Sequence, residues 1–192
     1  MPVSTVKLDM RPLKRFASEA RRDLRTNGSG PIRQMTRQWG RRYLGFVKKR
    51  FVKLSRGGGG WKALASSTIR GRRKPRGKTA RSKTRRTGGK AAILRDTGTL
   101  LGALDVGGRG NLFKDIPNGV RVGFKGGTKH PSGKATIAEI AVFHNVGGRG
   151  GKPPQRAILV EPDAETIRGM NSDAERAVKR LLRKHDMGRS VR

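Results

Sequence analysis

Eleven lysines and arginines fall between Arg70 and Lys90 with no acidic residue among them, and they are the side chains of this chain best placed to do chemistry. That chemistry is the neutralisation of a large anion. Arg70, Arg72, Arg73, Lys74, Arg76, Lys78, Arg81, Lys83, Arg85 and Arg86 follow one another closely, a density that suits a row of phosphates or an acidic protein surface. The segment has no large apolar side chain. It cannot build a core and reads as a loop or arm, able to reach roughly 70 Å at about 3.3 Å per residue. It sits inside a wider asymmetry: between Asp23 and Asp96 there are 23 of the chain's 46 basic residues and no acid. Self-repulsion on that scale opposes compaction unless an anionic partner relieves it.

Groups for covalent or metal chemistry do not converge in the sequence. His130, His144 and His185 are the three histidines, and none has the spacing of a metal-ligand pair. His144, between Phe143 and Asn145, reads as a structural histidine. Asp96, Asp105, Asp115 and Glu139 are isolated. Gly57 to Gly60 lack the Lys-Ser/Thr that would complete a phosphate loop, and Gly147 to Gly151 lack its strand–turn–helix setting. With no cysteine there is no disulfide and no thiolate site. We therefore expect a non-enzymatic protein with no cofactor and no metal. Zinc-finger spacing, an RNA-recognition signature and a leucine heptad after the basic run are all missing, so base-specific reading is not expected. Nor is a membrane, since no run of eighteen apolar residues occurs and the N-terminus lacks an apolar leader.

The elements around the basic run set its context. Residues 9–25 carry Leu13, Phe16, Ala17, Ala20 and Leu24 on one face, with Asp9 as cap and Pro12 in the first turn. A longer helix over 32–55 has an apolar stripe of Ile32, Met35, Trp39, Tyr43, Phe46, Val47, Phe51 and Leu54. Arg33, Arg37, Arg41, Lys48 and Lys49 line its other side as a basic face. Ala92 to Leu94 suggest a short strand, and 97–104 a short helix capped by Thr97 or Thr99. Val120, Val122 and Phe124 alternate as a half-buried strand after Asn118-Gly119. Residues 125–135 are a glycine-rich loop, and 136–146 fit either a helical turn or a strand. After an extended segment from Pro153, a helix over about 162–185 has a stripe of Ile167, Met170, Ala174, Val178, Leu181 and Leu182. The division expected is an N-terminal helical region (1–56), a flexible glycine-rich and basic arm (57–90), an α+β core with a C-terminal helix (91–186) and a tail (187–192). The fold class is α+β with a small mixed or antiparallel sheet. At 33% hydrophobic content the core is modest, a reason to expect completion by neighbouring subunits.

Four short elements follow in order: Trp61-x-x-Leu64, Ile93-Leu94-x-x-Thr97-Gly98-x-Leu100, Ala141-x-x-His144-x-x-Gly147 and Pro154-x-Arg156-x-x-Leu159. This succession, over about 61–182, is similar to the bacteriophage virion morphogenesis (tail completion) family of Mu-like and related tailed phages. The long basic insertion and Phe143 before the histidine depart from that family's pattern. The resemblance implies a structural virion protein that completes the tail or joins it to the head at the neck. It would act as a homo-oligomeric ring, expected to be a hexamer, against neck, tail terminator or tail tube proteins. The implied location is the virion, and the host cytoplasm during assembly. Trp61, Leu64, Leu94, Thr97, Gly98, Leu100, His144, Gly147, Pro154 and Arg156 would be its structural framework, and the basic surface would face packaged DNA or acidic neighbouring rings. The alternative from charge alone is a non-specific nucleic-acid-binding protein, ribosome-associated or DNA-compacting.

Overall fold

A computed structural model describes residues 11–25, 28–57, 59–73, 93–94, 97–131, 133–148 and 153–184. The expected cap Asp9, the basic run from Lys74 onward, Ala92, Asp96, His185 and the tail from 187 lie outside the described residues, as do the side chains of Pro12 and of 70–73. Among the described residues there are six helices and one two-stranded antiparallel sheet, an α+β protein with N-terminal helices and a long C-terminal one. The helices are α1 (Arg11–Asp23), α2 (Pro31–Ser55), α3 (Ser66–Arg73), α4 (Thr99–Gly102), α5 (Ile137–Val146) and α6 (Ala164–Lys184). The strands are β1 (Asn111–Ile116) and β2 (Gly119–Phe124). The chain divides into two compact units.

The first unit draws on 1–42, 114–121 and 164–192. Its break between helices is tightly built. Asp23, at the end of α1, accepts the Ile32 amide at 3.3 Å, so one carboxylate caps α2 from outside that helix. A Cβ on Gly30 would lie 1.9 Å from that carboxylate, so a side chain there would push Asp23 from its capping position. Pro31 opens α2, where a missing N–H costs nothing. The apolar core is small: Ile32, Ala177 and Leu181 are buried, with Phe16, Ala20, Leu24 and Met35 against them.

Polar clamps supply much of the rest. Arg33 is fully buried, and its guanidinium donates to the carbonyls of Leu24, Arg25, Ile116 and Gly119. This corrects the expectation of a basic face that includes Arg33: four backbone acceptors draw the side chain inward. Arg37 pairs through two nitrogens with Asp115, at 2.6 Å from Nη2. Asp173 is held by Arg42 at 2.5 Å and by Arg176, and the Trp39 indole donates to the Met170 carbonyl at 2.8 Å. On α6 the covered arc is Met170, Asp173, Ala177 and Leu181, not the whole expected stripe. Ile167 and Val178 stay 44% and 38% exposed.

The second unit draws on 43–113 and 122–163. Leu44, Val47 and Phe51 of α2, spaced for one helical face, pack with Trp61, Ile93, Leu100, Ala103, Leu104, Ile137, Ala141 and Ile158 in one buried cluster. Phe51 and Trp61 meet edge to face at 5.2 Å between ring centres. The expected flexible arm therefore does not start at Gly57. Trp61 is core, and Ser66–Arg73 is helical, so Arg70, Arg72 and Arg73 extend a helix rather than a loop. The expected strand at 92–94 is instead a turn where described. Leu94 has φ 57°, and the Ile93 amide donates to the Ser55 carbonyl at the end of α2 at 2.8 Å. The helix at 99–102 has Gly98, at φ 71°, as its cap residue without a side-chain bond, while the Thr97 hydroxyl one residue earlier accepts the Thr99 amide at 3.4 Å. Residues 136–146 resolve as α5, started by a capping box of Thr136 and Glu139.

Candidate assembly and polyanion-contact surfaces

The residues of the four motif elements lie in one unit and largely around one core. Trp61 and Leu100 are buried, Leu64 and Leu94 pack against the same cluster, and Gly98 turns the chain at positive φ. Gly147 ends α5 at φ 87°, its amide bonded to the Phe143 carbonyl at 2.9 Å. Pro154 is half-buried, and Thr97 is exposed, with its hydroxyl 3.1 Å from His130 Nε2.

Arg156 links two of the motif elements to its own. It is buried, its amide donates to the His144 carbonyl at 2.6 Å, and its guanidinium donates to the Lys62 carbonyl at 3.1 Å. Asn145, which sequence reasoning passed over, does similar work. Its side-chain oxygen accepts the Ile158 and Leu159 amides at 2.8 and 3.2 Å, so a helix end is stitched to an extended segment. Only the polar residue type between two motif positions could have signalled it.

His144 is half-buried and its Nδ1 has no hydrogen-bond partner. Burial lowers its pKa below the ordinary histidine value, and the nearby Arg156 charge lowers it further. The lowered pKa favours the neutral ring, and the His144 carbonyl is tied to the Arg156 amide. Among the described residues no group of three or more His, Cys, Asp or Glu side chains could hold a metal ion.

The scarce acids are drawn into internal work. Asp23 caps α2, Asp105 pairs with Lys48, and Glu19 with Arg22 and Lys184. Arg37 holds the Asp115 carboxyl below its usual range, and Arg42 does the same for Asp173. The Thr136 amide, followed by its hydroxyl, lowers that of Glu139. Arg37 and Arg42 are taken up by these pairings, whereas Lys48 and Arg22 stay exposed although paired.

Two basic helical faces result, one on each unit. Along α2 and just past its end, Lys48, Lys49, Lys53 and Arg56 rim an open groove of about 870 Å³ with Gly45, Val52 and Gly57. On α1, Lys14, Arg21, Arg22 and Arg25 rim one of about 510 Å³ with Ala17 and Ser18. In both the residues recur every three or four positions, so the charges form a row on one helical side. Among the described residues no carboxylate pairs with Lys49, Lys53 or Arg56. Sequence reasoning named Lys48 and Lys49 but weighted the run from Arg70, most of which lies outside the described residues.

A different surface is apolar. Val142, Phe143 and Val146 of α5 are 62%, 52% and 70% exposed. No helix among the described residues is long and apolar enough to cross a membrane. In comparisons with protein-family models, curated proteins and solved structures, nothing matches the chain.

Proposed function

We propose that this chain is a non-catalytic structural subunit of a tailed-phage virion, completing the tail or joining it to the head as part of a ring. The observation that carries the reading is the joining of three motif elements through Arg156, which binds the Lys62 carbonyl beside Trp61 and the backbone of His144. Residues that resemble a family's signature in order thus act as one framework in space. The large basic excess suits a ring that meets phosphate or acidic protein. The run from Arg70 to Arg86 would dock on such a surface, and the faces of α1 and α2 would add to it.

A test is complementation of a phage lysate that lacks the chain. Supplying it should restore joining of heads to tails, whereas a chain without residues 74–90 should leave them separate. Normal infectious particles from the shortened chain would remove the arm from this reading, and no effect of the full chain would remove the virion role.

A second reading, general binding to nucleic acid, is favoured by the grooves on α1 and α2. It predicts that log affinity for duplex DNA falls with log salt by about 0.9 per phosphate neutralised, with no discrete assembly left at ~1 M salt.

A further inference from the structure

α5 is apolar on nearly all sides, the pattern of a helix meant for an interior, yet it lies at a surface. At about 100° per residue, Ile137, Ile140, Ala141 and His144 share the covered side, and Glu139, Val142, Phe143 and Val146 share the opposite one. α6 repeats the situation on the other unit. Its covered arc is centred near Ala177, while Ile167, Ala174 and Val178 form an apolar stripe roughly 75° away. Ile167 and Val178 are the exposed members of that stripe. Among the described residues two different apolar faces are therefore left exposed.

Charge decides what covers them. Copies with a net charge of +33 repel one another, so contact between them needs a place where that charge is low. Residues 135–148 are the longest run without lysine or arginine, and the one charged side chain on the outward face of α5 is Glu139. The α6 stripe is flanked by Arg168 and Lys179, with Glu175 between them. Two α5 faces would bring like negative charges together, and two α6 faces, each with one more base than acid on the flank, would bring net positive charge together. The favourable pairing is α5 against α6.

We infer that the outward face of α5 on one copy seats on the Ile167–Val178 stripe of α6 on the next, with Glu139 at the basic flank. Such a contact is heterologous: every copy offers both faces, and the contact propagates until rotation closes it into a ring. This inference deepens the ring reading and rests on it for closure alone.

The experiment uses the full chain and two variants, Phe143→Asp and Val178→Asp, weighed by light scattering in ~1 M salt. Both positions are exposed, and circular dichroism should show native helix content. The native chain should give a discrete oligomer. Each variant alone should fall to a monomer, its self-affinity weakened roughly tenfold or more.

Mixed together, the two variants should form a dimer of one copy of each, because each keeps the face the other lacks. That mixture also guards against misfolding, since an unfolded variant could not restore the pair. A mixture that stays monomeric overturns the inference. Oligomers that survive both substitutions overturn this interface while leaving a ring built elsewhere intact. A monomeric native chain overturns the interface and weakens the ring reading with it.

Discussion

The two units strike different balances between apolar burial and polar clamps. The second buries eleven apolar residues in one cluster around Phe51, Trp61 and Leu104. The first buries three, and relies on guanidinium groups: Arg33 on four carbonyls, Arg37 on Asp115, Arg42 and Arg176 on Asp173. Apolar burial is non-directional and tolerates local adjustment, whereas a clamp of donors demands each acceptor in place. A chain so rich in arginine can thus use part of its excess as internal structure. The lesson is that basic content alone does not measure a binding surface.

The sharpest way to break the contrast is one substitution in each unit. Phe51→Ala should cost about 3–5 kcal/mol through lost transfer energy and a cavity. Arg33→Met should cost about 3 kcal/mol, because it keeps bulk but leaves buried carbonyls without donors. Urea titration measures the totals, and hydrogen exchange shows where they fall. The first variant should expose amides of α5 and the latter part of α2, the second those of α1 and α6. Equal loss of protection in both units under both variants would mean that the distinction has no energetic content.

Acid offers a smaller test. His144 has a folded pKa below its ordinary value of 6.5, so its neutral form is favoured by folding. That contribution is complete above 6.5 and is lost as pH falls below it towards the lower folded value. Asp115 and Asp173 are held below the ordinary 3.8, so their contribution is present above 3.8 and lost only as pH falls through the still lower folded values. Between about pH 7 and pH 5 only the second unit should weaken. Each unit holds one of the two tryptophans, Trp39 and Trp61, so fluorescence of Trp39→Phe and Trp61→Phe variants in urea reads the units separately. His144→Asn should flatten the response, and an equal drop for both reporters would contradict it.

Much of the fold was legible where one face of an element differs from the other. α1, α2 and β2 follow from apolar spacing within a residue or two of the expected limits. β1 was missed because Lys114 and Asp115 interrupt its alternation, and Asp115 faces a charged partner in Arg37. α5 was ambiguous because apolar residues on all sides carry no period. On α6 the sequence stripe is wider than the arc the chain itself covers, so composition could not say which edge stays bare. Arg33 was misplaced because a helical wheel cannot tell a solvated arginine from one gripping carbonyls brought from elsewhere. Of the motif residues, Trp61 and Leu100 are core, Gly98 and Gly147 take positive φ, and Arg156 is buried.

The Arg33 clamp also sets an order of events. Two of its acceptors are eight and nine residues away, but Ile116 and Gly119 are 83 and 86 residues further along. The Trp39 contact with Met170 spans 131 residues. Contacts so distant along the chain form only after long loops have closed, which slows their appearance. Every segment of the second unit has been synthesised once Asp163 is made, before α6 exists. The first unit is therefore expected to close last, and pulsed exchange should protect the Val47 amide before that of Ile32. Until then the arginines that later hold it together are still exposed cations on a nascent chain.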